Sequence, residues 1–191
     1  MADCVLSRDI ARSCSAPPVP GARDRFILIP KDDISSITLN ATNHLIVEAI
    51  TITNGKQGYA YTGDGMVRAT PDKGLVEGEN GNMFRHRAAF KIMDDTPETK
   101  MELDALVNIP LTIVVQNNYQ GTDGNGKYEV LGKDVGVYVR VLEDTEGKHV
   151  YTIEVSSKDG FEEPHLPANF YLTSTTITDA LVEAILEVAS A

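Results

Sequence analysis

The residues whose spacing comes closest to a known chemistry lie at Asp123-Gly124-Asn125-Gly126-Lys127, where oxygen donors alternate through a glycine-bearing loop as they do in calcium loops. Lys127 then stands at a position that needs an oxygen ligand, Tyr128 at that of the obligatory glycine, and Asp134 where a bidentate glutamate belongs. The segment therefore reads as a hairpin turn. Gly63-Asp64-Gly65 and Gly124-Asn125-Gly126 could approach a phosphate, but neither opens a helix whose amides would hold one. Asp94, Asp95 and Asp104 follow a strand carrying His86, the residue types of general acid–base catalysis, yet helix capping accounts for Asp94 and Asp95. Cys4 or Cys14 as a nucleophile would need a neighbouring base, and both fall in a terminal arm. None of His44, His86, His149 or His165 stands at zinc-finger spacing. The sequence holds no GxSxG, HExxH, P-loop or dinucleotide fingerprint. It names no catalytic residue, cofactor-binding residue or metal ligand, and the expectation is a protein that is not an enzyme and carries no cofactor.

Charge narrows the partners. Asp and Glu (28) outnumber Lys and Arg (17), for a net charge of −11. A grip on nucleic acid needs clustered cations that displace counterions from phosphates. An acidic surface repels DNA, which suits a passage or a bystander; it also simply confers solubility. The opening Met1-Ala-Asp-Cys-Val-Leu-Ser-Arg-Asp-Ile10 lacks the apolar core of a signal peptide, and no run approaches the roughly 20 apolar residues of a membrane helix. A soluble product of the cytoplasm is expected, with no membrane partner. Two cysteines in such a chain read as thiols; paired, they would contribute about 3 kcal/mol by closing a short loop.

The elements that position these residues are mainly strands. At 191 residues the chain suits one domain with an extension at each end: an arm at 1–24, a β domain at 25–160, and a linker with a helix at 161–191. Pro17, Pro18, Pro20 and Gly21 keep the arm out of a helix or a central strand. Ile-, Val- and Thr-rich runs at 25–29, 34–39 and 45–53 predict strands, as do 109–118, 127–131, 135–141 and 150–155. Residues 83–93 alternate: Phe84, His86, Ala88, Phe90 and Ile92 share the core face, and Arg85, Arg87 and Lys91 share the other. That basic stripe either pairs with acidic groups of a neighbouring subunit or is a solvated face. Residues 54–82, punctuated by glycine and asparagine, predict a long hairpin or loop and a contact element, with Lys56, Tyr59, Tyr61, Asp64, Met66 and Val67 as contact residues. A helix is predicted at about 96–107, capped by Asp95 or Thr96 with Pro97 near its start. A second is predicted at 175–189, capped through Thr176 and Asp179, with Ile177, Leu181, Ala184, Ile185 and Val188 on one face.

The order of these elements, one helix embedded among strands with a protruding glycine-rich segment and extended arms, resembles the tail-tube proteins of long-tailed bacteriophages. The likeness rests on Ala2-Asp-Cys4-Val-Leu-Ser-Arg-Asp-Ile10 with Cys14, Lys31-Asp-Asp-Ile34 and Ala49-Ile-Thr-Ile-Thr-Asn-Gly-Lys56. Further along it rests on Glu102-Leu-Asp-Ala-Leu106, Asn125-Gly-Lys-Tyr-Glu-Val-Leu-Gly132 and Asp134-Val-Gly136. It spans roughly residues 1–157 and leaves the carboxyl-terminal extension unmatched. The resemblance implies a β-sandwich or half-barrel subunit with extended arms, six copies closing into a ring, and rings stacking into a virion tail tube assembled in the host cytoplasm. DNA would pass through the lumen without specific binding, and other tail proteins would be partners. It also implies that Cys4, Val5, Leu6 and Cys14 of one arm, and Leu181, Ile185 and Val188 of the other, reach neighbouring subunits. A neck, tail-terminator or decoration protein is the nearest alternative. A monomeric ligand-binding β-sandwich is a third, although a chain without Trp and with 6% aromatic residues offers few platforms for stacking sugars.

Overall fold

The run Phe26-Ile27-Leu28-Ile29 has four apolar residues in succession, which a strand tolerates only when both of its faces are covered. In the computed structural model, which describes residues 22–62, 72–77, 81–92, 94–121, 123–144 and 150–189, that condition is met. The described elements are β1 (Ala22–Pro30), β2 (Ile34–Leu39), β3 (Ile46–Ile52), β4 (Tyr59–Thr62), β5 (Asp72–Val76), β6 (Met83–Ile92) and α1 (Pro97–Leu106). They continue with β7 (Leu111–Asn117), β8 (Tyr128–Leu131), β9 (Tyr138–Asp144), β10 (Tyr151–Ser156), β11 (Ala168–Phe170) and α2 (Thr175–Ala184). The protein is mainly β, with two sheets and two helices among the described residues. The larger sheet has the order β2-β3-β11-β8-β7-β1-β4 and the smaller β5-β6-β10-β9. Every pairing is antiparallel except that of β11 with β3.

Alternation along the central strands builds two cores. Phe26, Leu28, Ile113, Val115 and Leu131 face the small sheet, where Ala88, Phe90, Ile153 and Val155 meet them, with Leu103 and Leu106 of α1 added at one side. The rings of Phe26 and Phe90 stack 5.2 Å apart across this interface. Ile27, Ile29, Val114, Val130 and Phe170 face the opposite way and are covered by Val182 and Ile185 of α2. Apart from Leu103 and Leu106, all of these side chains are buried at or below 2%, and each Val, Leu, Ile or Phe among them contributes about 1.5–3 kcal/mol relative to exposure. The result is a sandwich whose larger sheet carries α2 as a third layer.

Three expectations are corrected. The glycine-rich stretch is not one hairpin: β4 pairs with β1 in the large sheet and β5 with β6 in the small one, so this part of the chain passes between sheets. Tyr59-Ala-Tyr61-Thr62 is too short to show alternation, and Gly74 weakens the strand signal around β5. Residues 161–189 are not an appendage, because β11 lies between β3 and β8 in the large sheet. Three residues carry no period, and the flanking Pro164 and Pro167 mark a loop in sequence. Finally, α2 is capped by Ser174, whose side chain accepts from the Ile177 amide, and ends at Ala184. Its buried stripe runs through Thr178, Val182 and Ile185, while Ile177 and Val188 are 45% and 61% exposed. Thr178 can be buried because its hydroxyl donates to the Ser174 carbonyl (2.8 Å) and accepts from the Leu172 amide (3.0 Å). For α1 the expected Thr96 cap and Pro97 start are found, Thr96 accepting from the Thr99 amide.

Candidate interaction surfaces

His86 points inward from β6 and is 1% exposed. The Gly132 amide donates to its Nδ1 (3.1 Å), so the ring proton sits on Nε2, which donates to the His165 carbonyl (3.0 Å). Burial lowers the pKa of this histidine, although Glu163, Glu129 and Asp134 oppose the shift. Glu163 is fully buried nearby. Its carboxylate accepts from the amides of Asp134, Val135 and Gly136 at 2.8–2.9 Å, and its backbone bridges to Phe84 in both directions. Ser157 completes the cluster: its amide donates to the His86 carbonyl and its Oγ accepts from the His86 amide. Gly132 lies at φ +70°, where a Cβ would come within 2.6 Å of the Leu111 carbonyl oxygen. Every polar group named here has a partner inside the chain, so the cluster ties β6, the β8–β9 connection and the lead into β11 together. It is a structural junction and has no open face for a substrate.

A second polar contact fixes α2. Lys127 Nζ lies 2.7 Å from both oxygens of Asp179, and the Tyr128 hydroxyl donates to the same carboxylate at 2.9 Å. Burial and that bond together push the Tyr128 pKa up. Arg25 forks onto Glu183 at 2.5 and 2.9 Å and holds its carboxyl below the usual carboxylate range. Asp179 therefore anchors α2 to β8 instead of closing a capping box. Lys127 belongs to this anchor, and the turn before it is the β7–β8 hairpin.

The open surface lies beside β4. Its neighbour on one side is β1; on the other side no strand pairs with it among the described residues. Just before β4 the chain is covered: the amides of Gly55 and Gly58 donate to the carbonyls of Ala189 and Ile185, and the Ala189 amide donates to Lys56. From Tyr59 onward that cover stops. Between β4 and α1 lies a groove of about 700 Å³, bordered by Tyr59, Tyr61 and Met101, with Asp94, Glu98 and Glu102 on the helix side. Tyr59 and Met101 are 45% and 67% exposed. Burial, helped by Glu102, pushes the Tyr61 hydroxyl up to about 12. Asp94 is engaged locally, accepting from the Thr96 amide and the Thr99 hydroxyl. Among the described residues neither Glu98 nor Glu102 has an ion-pair partner, and no described Lys or Arg borders the groove.

Of the residues expected to make contacts, Tyr59 and Tyr61 lie at this groove. Lys56 is turned to Asp33 (3.2 Å) and to the C-terminal tail. Leu181 and Ile185 pack onto the large sheet of their own chain, so they are corrected from inter-subunit to internal contacts; Val188 stays exposed. Arg85 pairs with Asp159 and Glu162, and Arg87 with Glu154, all within one chain, so the basic stripe on the outer face of the small sheet is largely neutralised in place. Lys91 is exposed and has no ion pair among the described residues. Cys4, Val5, Leu6, Cys14, Asp64, Met66 and Val67 lie outside the described residues. Sequence reasoning missed Glu98, Met101 and Glu102. Their signal was available: two glutamates four apart, with a methionine between them, share one stripe of α1 that borders the buried Leu106. Among the described residues no group of three or more His, Cys, Asp or Glu side chains gathers as a metal site would require, and no helix is long and apolar enough to cross a membrane.

Comparison with known proteins returns no matching family model, no matching curated protein and no matching solved structure.

Proposed function

We propose that the chain is a structural subunit that assembles with copies of itself, and that the assembly is a phage tail tube of stacked hexameric rings around a channel for DNA. The observation that carries the self-assembly reading is the set of open sheet edges. Among the described residues the large sheet ends on β2 and β4, the small one on β5 and β9, and each edge offers unpaired backbone groups. Ring closure pairs such edges. Two features support a tube in particular: the sandwich architecture with one embedded helix, and a net charge of −11 that keeps a lumen from retaining DNA. The Tyr-lined groove beside β4 favours a second reading, a monomeric module that binds a ligand there.

Size-exclusion chromatography with negative-stain imaging of the purified chain separates the two. Rings or tubes are expected. A strictly monomeric species at high concentration, with a ligand that saturates the groove, would establish the second reading instead.

A further inference from the structure

The two sheets differ in width, and a second cavity lies where the larger one runs past the core. That core takes residues from β1, β7 and β8 of the larger sheet and, among the described residues, none from β11 or β3. On the same face a row of directly paired residues leads outward: Val115 opposite Glu129, Glu129 opposite Asn169, and Asn169 opposite Ile46. The row thus passes from an apolar side chain to a carboxylate and then an amide as it leaves the core.

Glu129 and Asn169 line a cavity of about 330 Å³ whose bordering residues all belong to the described chain. Its other walls include Asn43 from the β2–β3 turn, Asn125 from the β7–β8 turn, and Leu166 and Tyr171 on either side of β11. The chain fixes these walls by itself. Asn43 Oδ1 accepts from the Leu45 amide (3.0 Å), the Asn169 amide donates to the Leu45 carbonyl (2.8 Å), and the Tyr171 hydroxyl donates to the Thr173 carbonyl (2.7 Å).

Glu129 is 4% exposed, and no described Lys or Arg borders the cavity. Lys127, two residues away, is paired with Asp179. The side-chain amides of Asn125 and Asn169 make no hydrogen bond to a described residue, and neither is sealed from solvent. A carboxylate taken out of bulk water favours a cation beside it, and two amide oxygens can accept further protons from the same head group. Glu129 is the one carboxylate on the lining, too few for a divalent metal, and no metal-binding group of three gathers among the described residues. Leu166, 40% exposed, and the Tyr171 ring offer apolar cover to a stem.

We propose that this cavity binds an organic cation with a primary ammonium head on a short alkyl stem. The head meets Glu129 and the side-chain oxygens of Asn125 and Asn169, and the stem lies against Leu166 and Tyr171. The site stands on observations independent of the self-assembly reading. A free amine and a lysine side chain of a second copy share this chemistry.

The probe is n-pentylamine, followed by saturation-transfer NMR on the full chain at neutral pH. Saturable binding with a Kd of about 1 mM is expected, in the range open to so small a ligand. The neutral analogue n-pentanol is expected to bind about tenfold more weakly or worse. No binding, or equal binding of the alcohol, would overturn the proposal. Glu129→Gln is expected to weaken amine binding by about tenfold or more with an unchanged circular dichroism spectrum. Leu166→Lys, at the exposed rim, decides the matter if Glu129→Gln fails to fold: its own ammonium fills the cavity, and pentylamine binding that survives it would place the amine elsewhere and sink the proposal. Sedimentation velocity with and without saturating n-pentylamine separates the two sources. A fall in oligomer mass assigns the natural head group to a lysine of a second copy, and an unchanged mass assigns it to a free amine.

Discussion

His86 shows how a residue type associated with catalysis can be fully absorbed by architecture. Its neutral ring accepts from Gly132 and donates to His165, so a second ring proton would displace the Gly132 amide. Burial lowers its folded pKa below the ordinary value of 6.5. The unfolded chain therefore takes up a proton at a higher pH than the folded one, and the stability that His86 protects is complete above about pH 6.5 and is lost as pH falls toward the folded pKa. Denaturant titrations at pH 7.5 and 5.5 are expected to show a falling midpoint, and His86→Gln is expected to flatten that part of the dependence while lowering stability at both. Glu163→Gln should be costlier. It replaces an oxygen that accepts two of the three backbone bonds, or the one that accepts the third, with a donor, and a loss of about 3 kcal/mol is expected in the same titrations. The sequence made the burial of His86 legible, because it shares a face with Ala88 and Phe90. It gave no sign of Glu163, since a glutamate just before a proline in a loop looks solvated until the three amides that hold it are in place.

At the scale of elements, what was legible depended on length and period. The ten-residue β6 and the apolar β1 and β7 stand in the sequence because alternation or full burial runs long enough to be read. β4, β5 and β11, of three to five residues, do not, since tertiary pairing defines them. The same limit hid half of the groove: α1 was visible as a helix, but the strand it faces was not. Because β11 separates β3 from β8 in the large sheet, a chain ending at Gly160 is expected to be unfolded or aggregated, which circular dichroism and chromatography check. Survival of a folded β domain would show that the large sheet closes without it. The lead into α2 stores strain of a different kind. Thr173 is β-branched yet lies at φ +58°, held there by the turn that aligns Ser174 as the cap. Thr173→Asn is expected to raise stability by about 0.5–1 kcal/mol in chemical denaturation, because asparagine tolerates this region better.

For the molecule as a whole, the charge of −11 opposes association of copies while each open edge favours it. Raising salt from about 0.01 to 0.15 M shortens the screening length from roughly 30 to 8 Å. Oligomer mass by light scattering is therefore expected to rise over that range, and double-stranded DNA at 0.15 M salt is expected to leave the chain's sedimentation unchanged. The position of β11 also sets a timetable. A strand formed by residues 168–170 pairs with partners near residues 46 and 130, so the large sheet cannot close until those residues have been synthesised. Until then β3 and β8 wait with unfilled sides on the ribosome-bound chain. The second core is sealed later still, when α2 docks through Val182 and Ile185. A polypeptide that stops short of these residues thus exposes the second core and the facing sides of β3 and β8 that the folded chain covers.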